Sequence, residues 1–567
     1  MNKILTAAVG ACLASGAAVA QRADTLVLPM QYMGASQPLY AMALQQRSLS
    51  VRGFLPPTEM IQRHGPLITE LEVSNTSTLA SARTSVTYEQ KEAATPFAAV
   101  AGANFEGPGT GMPGFVLTGA PPDTTLAVGP NHVVAWVNSM FAIMDKAGTV
   151  LSLATGNTLF AGVGNLCETT NRGDPILQYD RLADRWVLSQ FAFNVSGTSP
   201  AAPYLQCVAV STTNNPLGAY HRYTITFGSV SPNGFNDYGK LGIFPDAYYT
   251  SYNVFGGTPA GGNTGAALCA SDRAKMLVGD PTATTLCAPV TFYGGGASLL
   301  PGDLDGSTLP TTATQGNIFI RQSTAPALRL LKLKPDFVAS TVTINDGFGG
   351  AAGSFINLPL GTTTRSCNNT SNACVPQPGT TTKLDTLADR LMYRAAYRNR
   401  GGVDSLVVTQ SVDPDGAGAR ATTLRWYEIR SPFAAVPTMF QNANYDPDAS
   451  TDRWMGSVAM DKMGNMMIGY SAANAAAGLK PSIRVAGRLR TDLRNRMQAE
   501  QTLITGTGSQ TVSASTGNAL TRWGDYTTMQ VDPADDCTFW YIGQYLSADG
   551  AFNWRTRIGS YKFNGCN

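Results

Sequence analysis

A short motif recurs three times in the second half of the chain. It reads Asp389-Arg390-Leu391-Met392-Tyr393, then Asp452-Arg453-Trp454-Met455-Gly456, and then Thr521-Arg522-Trp523-Gly524-Asp525. The step between the arginines is 63 residues (390 to 453) and then 69 residues (453 to 522), and a β-type run follows each copy. Motifs that return at a nearly constant step are the sign of a repeat architecture, in which one supersecondary unit packs against the next.

Related openings occur in the first half of the chain. They are Pro122-Asp123-Thr124, Gly173-Asp174-Pro175 and Pro245-Asp246-Ala247, with a weaker one at Asp303-Leu304-Asp305. Short runs rich in Val, Ile, Tyr, Phe and Trp follow them, and long helical periodicity is scarce. A sandwich or a barrel would also fit such strands. The repeated openings favour an all-β β-propeller of about seven blades.

The openings and the residues after them resemble a group of secreted bacterial β-propeller proteins, related at fold level to the sialidase-like propellers. The likeness runs from about residue 121 to the C-terminus. It rests on Pro121–Thr124 with Ala127–His132, Gly173–Pro175 with Tyr179–Trp186, Phe244–Tyr249, and Arg522–Tyr526 with Asp535–Tyr541. This chain has Thr125-Leu126 where the group usually has Asn-Gly. Most members have no assigned activity, so the resemblance implies a fold and export but no mechanism.

The N-terminus has the pattern of a signal peptide. Lys3 precedes an apolar stretch, and Ala18-Val19-Ala20 forms a small-x-small cleavage site. Val9-Gly10-Ala11-Cys12 also resembles a lipid-attachment box, although the apolar run before it is short. We predict a signal peptide at 1–20, a disordered or extended N-terminal extension and linker at 21–120, and the propeller at 121–567. The protein is then secreted, periplasmic or held at the cell surface.

The cysteines point to disulfides. Without Cys12 the chain keeps eight, an even number that favours bridges in an exported protein. Spacing does not fix the connectivity, and no CxxC pair suggests a metal site instead. Sequential pairing would keep each bridge within one local unit: Cys167 with Cys207, Cys269 with Cys287, Cys367 with Cys374, and Cys537 with Cys566.

Charge and hydropathy exclude two kinds of partner. Lys and Arg number 40 against 38 Asp and Glu, a net charge of +2 without long runs of either sign. The basic stripe of a nucleic-acid-binding protein is therefore absent. No segment after the signal peptide approaches the roughly 18 apolar residues of a membrane-spanning helix, so we predict no membrane span. The oligomeric state stays open.

The repeated openings also predict a site. The inner strand of every blade begins near the same mouth of the central channel, so residues at equivalent openings should converge there. Carboxylates and guanidinium groups suit the hydroxyl and anionic groups of a ligand, and aromatic faces suit sugar rings. The candidate catalytic residues are Asp123, Asp174, Asp246 and Asp525. The candidate ligand-binding residues are Arg390, Arg453, Arg522, Tyr248, Trp454, Trp523 and Tyr526. Alternatively, these charges form ion pairs that tie the blades together.

Three functions fit this prediction. The first is an exported propeller that binds an extracellular glycan or another polar ligand at the channel mouth. The second is a glycoside hydrolase or lyase with a carboxylate pair at the same mouth, and the third is a protein-binding scaffold. The Ser-x-Asp-x-Gly-x-x-Trp box of sialidase-like enzymes has only a fragment here, Ser411–Gly416. We predict no cofactor; Asp303–Gly306 and Asp413–Gly416 could share a calcium ion, but plain Asp-Gly turns explain both.

Overall fold

The computed structural model describes most of the chain after the N-terminal region. The predicted signal peptide lies outside the described residues. Those residues are 25–50, 61–62, 87–92, 95–196, 199–228, 234–256, 263–289, 298–311, 316–323, 326–344, 356–360, 364–369, 373–414, 420–513 and 517–567.

Seven antiparallel units follow one another along the chain, and we number them as blades 1 to 7 with their strands from the inside outwards. Blade 1 consists of Thr125–Val128, His132–Val137, Met140–Asp145 and Val150–Thr155. Blade 2 consists of Ile176–Asp180, Arg185–Ser196, Ser199–Ser211 and Tyr220–Thr226. Blade 3 consists of Gly234–Ile243, Tyr248–Gly256, Asn263–Ser271 and Thr285–Pro289. Blade 4 consists of Leu300–Leu304, Asn317–Gln322, Ala327–Asp336, and both Thr341–Ile344 and Ile356–Pro359.

The later blades repeat this order. Blade 5 consists of Leu391–Arg400, Val403–Val412, Thr423–Arg430 and Thr438–Tyr445, and blade 6 of Asp452–Met460, Met466–Asn474, Leu479–Arg488 and Gln501–Gly506. Blade 7 consists of Thr528–Val531, Phe539–Tyr545, Arg555–Phe563 and the upstream strand Ala99–Glu106.

The blades close into a ring. Each inner strand contacts the inner strand of the next blade, and the inner strand of blade 7 contacts that of blade 1. Blades 4 and 5 join more tightly, because Gly302–Leu304 pairs in parallel with Ala395–Tyr397. The structure is therefore an all-β propeller of seven blades, and the fold prediction is confirmed.

Segments upstream of residue 121 complete four of the blade sheets. Ala99–Glu106 pairs with the last strand of the chain and so joins the two ends of the ring. Leu26–Leu28, Met30–Ala35 and Tyr88–Gln90 add outer strands to blades 3, 2 and 5. The sequence pattern did not indicate these strands, because they are short edge strands with much of their surface in solvent.

The remaining elements are short. The described helices are Leu39–Ser50, Leu166–Thr169 and Arg273–Met276, with 3-10 turns at Gly156–Phe160 and Ser366–Asn369. Two further strand pairs are Ile61–Gln62 with Gly119–Ala120 and Ala373–Val375 with Leu384–Asp385. Within the described part of the chain no helix is long and apolar enough to cross a membrane.

The apolar core lies between the blades. A second strand such as His132–Val137 is a continuous apolar run, because both of its faces pack against neighbouring blades. Six tryptophans are fully buried in this way: Trp136, Trp186, Trp426, Trp454, Trp523 and Trp554. The bonded cysteines are the four sequential pairs, Cys167–Cys207, Cys269–Cys287, Cys367–Cys374 and Cys537–Cys566.

Candidate functional site at the channel entrance

A left-handed residue precedes the inner strand in several blades. Asp123 (φ 51°) and Asp174 (φ 46°) come two residues before the inner strands of blades 1 and 2, and Asp525 (φ 59°) three before that of blade 7. Positive φ is unfavourable for residues with a Cβ, and Asp and Asn tolerate it best. The kink therefore places three carboxylates at the channel end where the inner strands begin, which we call the entrance mouth.

Blade 3 brings a lysine to the same mouth. Lys240 follows a bulge in the inner strand, where the register shifts between Asp237 and Lys240, and it is 1% exposed. Its Nζ lies 3.4 Å from the ring centroid of Tyr238 and 4.0 Å from that of Tyr526. It also donates a hydrogen bond to the Gly239 carbonyl oxygen at 3.0 Å. The ammonium group is thus enclosed by two aromatic rings instead of water.

The three aspartates face this lysine. Burial lowers the pKa of Lys240 to about 7, and Asp174, Asp525 and Asp123 oppose that shift by electrostatic attraction. Burial also raises the pKa of Tyr526, and the same three carboxylates raise it further. Side chains from blades 1, 2, 3 and 7 therefore converge at the entrance mouth.

Each arginine of the entrance mouth is held by a carboxylate close to it in sequence. Arg522 donates from Nε to Asp525 Oδ1 at 3.2 Å, makes a second bond to that carboxylate, and lies 3.9 Å from Asp385 Oδ2. Arg390 binds Asp389 with two hydrogen bonds of 2.7 and 3.0 Å. Both guanidinium groups therefore already bind a carboxylate of the protein through two N–H groups.

Negative charge exceeds positive charge at the entrance mouth. We call its charged side chains, with Tyr238 and Tyr526, the entrance cluster. Burial raises the pKa of Asp385 to about 6, against the attraction of Arg522. The cluster contains five carboxylates: Asp123, Asp174, Asp385, Asp389 and Asp525. Its cationic groups are Lys240, Arg390 and Arg522, and Arg365 also attracts Asp389.

Two of the candidate residues lie at the other end of the channel. Asp246 and Tyr248 follow the end of blade 3's inner strand, so they face the exit mouth. The Tyr248 hydroxyl donates to Asp180 Oδ2 at 3.0 Å, and Asp246 accepts from the Tyr249 hydroxyl at 2.7 Å. The opening Pro245-Asp246 precedes the second strand of blade 3 and not the first.

Blade 6 turns its candidate residues away from the channel. Arg453 is fully buried, donates from Nε to Glu500 Oε2 at 3.0 Å and also binds Asp448. The rings of Trp454 and Trp523 pack 6.0 Å apart in the apolar core. Trp523 uses its indole N–H for a 3.0 Å bond to Ser471 Oγ. These residues tie strands together and offer no open aromatic face.

The centre of the channel is filled by a buried ion network. Arg394 is fully buried and binds Asp303 Oδ2 at 3.0 Å and Asp305 Oδ2 at 2.7 Å. Gln178 donates to the same Asp303 carboxylate at 2.8 Å and also bonds to the Tyr393 hydroxyl. Two of the carboxylates considered for calcium thus already hold an arginine. Among the described residues no group of three or more His, Cys, Asp or Glu could hold a metal ion.

Sequence reasoning missed the centre of the entrance cluster. Lys240 and Tyr238 belong to no repeated motif, and their bulge cannot be read from composition. The available signal was a lysine directly before the apolar run Leu241–Phe244, where a buried strand should be apolar. Asp389 stood in the motif itself, next to Arg390, and its pairing could have been expected.

Comparisons with known proteins give no family for this chain. No family model matches the sequence, and no curated protein is similar to it. The structure is similar to the α-L-arabinofuranosidase of Fusarium graminearum in complex with arabinobiose (8% identity, 81% of this chain and 97% of that chain covered, TM-score 0.34). It is also similar to Drosophila Plexin A in complex with Semaphorin 1b (6% identity, 83% and 88% covered, TM-score 0.29). Such low identities and TM-scores carry no argument, so the fold rests on the strand pairing and the function on the site.

Proposed function

We propose that this protein is an exported glycan-binding propeller whose entrance mouth holds neutral sugar residues. The observation that carries the proposal is the convergence of Asp123, Asp174 and Asp525 on Lys240. Four disulfides are the framework of a protein from an oxidising compartment, which supports the exported location.

The strained backbone supports a binding role for the three aspartates. Residues in the left-handed region cost about 1 kcal/mol or more each and cluster at ligand sites, where the surrounding structure enforces them. Here the same cost recurs at Asp123, Asp174 and Asp525, on three blades that meet at one mouth. Asn tolerates this backbone as well as Asp does, so the choice of Asp over Asn at all three positions is what points to a role for the charge.

The net negative charge of the entrance mouth favours neutral sugars over acidic ones. Sugar hydroxyls donate to carboxylates, and the entrance cluster has more carboxylates than cations. An acidic sugar would need a free guanidinium group, but Asp389 and Asp525 already occupy Arg390 and Arg522. The favoured ligand is therefore a neutral glycan.

Asp174→Asn tests the proposal. Asn keeps the shape of the side chain and tolerates the same left-handed backbone, and Asp174 is the most exposed of the three left-handed aspartates. A hydrogen bond to a charged group contributes about 1.5–3 kcal/mol, so affinity for neutral oligosaccharides from a glycan panel should fall about tenfold or more. The thermal unfolding midpoint should stay close to that of the wild type.

Asp246→Asn is the matched control. It makes the same chemical change at the opposite end of the channel and should leave glycan affinity unchanged. The proposal is wrong if the wild-type protein binds no neutral glycan of the panel. It is also wrong if Asp174→Asn binds as well as the wild type.

Hydrolysis at the same mouth is a second candidate function. Asp385 and Asp525 flank the same Arg522, and the raised pKa of Asp385, about 6, would let it act as the proton donor beside an ionised carboxylate. Reducing-sugar release from the oligosaccharides that bind, lost in Asp385→Asn, would identify a glycoside hydrolase. Binding without release would identify a binding protein.

A further inference from the structure

A second charged region lies on the face where the inner strands end. In antiparallel blades the ends of the first and third strands lie on one face, and Arg400, Arg430 and Arg488 occupy such ends in blades 5 and 6. Arg490 and Arg494 follow in the loop after Arg488. These five arginines and Phe440 line a cleft of about 210 Å³, which we call the exit groove.

The exit groove continues towards the channel. An adjoining cleft of about 340 Å³ shares Arg400 and Arg490 with it and adds Lys462 and Arg398. Its far end reaches Asp536, in the turn between the first two strands of blade 7. Asp536 neutralises Arg398, so the basic surface that extends the exit groove consists of Arg400, Arg490 and Lys462 at the boundary of blades 5 and 6.

Three of the arginines form no ion pair within the described residues. Glu428 binds Arg430 Nε at 3.0 Å, and Arg488 donates to the Arg496 and Asp492 carbonyl oxygens. None of the ion pairs between described side chains includes Arg400, Arg490 or Arg494. The groove thus has an excess of positive charge that the described residues do not neutralise.

Arg400 is set into the groove without a complete set of hydrogen bonds. Its Nε is buried and has no hydrogen-bond partner among the residues that the structure describes. Burial lowers its pKa, Glu428 opposes the shift, and Arg430 and Arg490 lower the pKa further. Gly464 leaves room for this guanidinium group, since a Cβ there would lie 2.6 Å from Arg400 Nη1.

Phe440 holds two other guanidinium groups. The Cζ atoms of Arg430 and Arg494 lie 3.2 and 4.3 Å from its ring centroid. Such stacking fixes the orientation of both arginines and leaves the edge of the Arg494 guanidinium group directed at the groove. It also covers the ring, so nucleic-acid bases have no aromatic face to stack on.

We infer that the exit groove binds an acidic polysaccharide, through carboxylate or sulfate groups held by Arg400, Arg490 and Arg494. Guanidinium forks match both kinds of oxyanion, and an extended chain with repeated charges suits a groove rather than a closed pocket. This site is separate from the entrance cluster, so either can fail without the other.

Binding of heparin and of polygalacturonate to the full-length mature protein tests the inference. Arg490→Gln should weaken binding of at least one of them about tenfold, since a charge-assisted bond is lost. The triple variant Arg400→Gln, Arg490→Gln, Arg494→Gln should abolish it. Heparin alone would indicate sulfate recognition, and both polymers would indicate that carboxylates suffice.

The matched control is Arg329→Gln, which removes one positive charge from a strand of blade 4. It should leave polyanion binding unchanged, and the thermal unfolding midpoints of all variants should match that of the wild type. Unchanged binding in the triple variant would overturn the inference. So would equal losses in Arg329→Gln and Arg490→Gln, equal binding of neutral dextran, or tighter binding of single-stranded DNA.

Discussion

The two ends of this propeller use arginine in opposite ways. At the entrance mouth Arg522 is buried and bonded to Asp525, and Arg390 is bonded to Asp389. In the exit groove Arg490 and Arg494 are exposed and belong to no ion pair among the described side chains. A paired arginine stabilises the ring, whereas an unpaired one is available to a ligand.

This difference between paired and unpaired arginines shows that residue type alone does not identify a binding site. The repeated motif drew attention to Arg390, Arg453 and Arg522, and all three are neutralised by carboxylates. The arginines without partners come from strand ends and loops with no motif. Pairing, which only the fold reveals, separates the structural charges from the available ones.

Asp525→Asn should have the largest effect on stability. It removes the carboxylate to which Arg522 is bonded, and removing one partner of a buried ion pair costs about 3–5 kcal/mol. Asn tolerates the left-handed backbone, so strain does not add to the loss. A large drop in the thermal unfolding midpoint should follow. Asp174→Asn makes the same change at a similar φ and should lower the midpoint much less; equal midpoints would break the comparison.

Lys240→Met should change the dependence of stability on pH. Burial lowers the pKa of Lys240 in the folded protein to about 7 from its ordinary value of 10.5, so between these values the unfolded chain binds more protons than the folded one. As the pH rises, the free energy of unfolding of the wild type should therefore increase relative to that of Lys240→Met. The difference should grow by up to ~1.4 kcal/mol per pH unit.

The measurement compares denaturant midpoints of the two proteins from about pH 7 to about pH 9, below the titration of unfolded tyrosine. The charged groups that face Lys240 are Asp123, Asp174, Asp525 and Arg390. Parallel pH profiles for the two proteins would show that Lys240 is not held as described.

Arg490→Gln should have the smallest effect on stability. The side chain is exposed and has no ion-pair partner among the described residues, so the change should stay within about 0.5 kcal/mol. At low salt it should be slightly stabilising, because Arg490 repels Arg400. A loss comparable to that of Asp525→Asn would contradict the distinction between paired and unpaired arginines.

The repeats predicted the fold because each blade needs the same kind of opening and the same alternation of strands. They also indicated Asp123, Asp174 and Asp525, which precede inner strands. Asp246 was expected beside them, but its opening precedes the second strand of blade 3. Because the second strand runs antiparallel to the first, a residue before it lies at the other end of the channel. Sequence patterns show that a strand begins, not which strand of the blade it is.

Other features depend on contacts that the sequence does not encode locally. Lys240 reaches the mouth through a bulge, and its partners come from three other blades. The exit groove gathers arginines from the ends of strands in two blades, so no run of positive charge appears in the chain. The upstream outer strands have too few residues to produce a pattern of their own.

Binding of two ligands to three proteins tests the central claim most directly. A neutral oligosaccharide from the panel and an acidic polysaccharide are titrated calorimetrically into the wild type, Asp174→Asn and Arg490→Gln. We expect Asp174→Asn to lose affinity for the neutral sugar alone. We expect Arg490→Gln to lose affinity for the acidic polysaccharide alone. A variant that loses affinity for both ligands would contradict this expectation. So would two variants that both bind the two ligands as well as the wild type does.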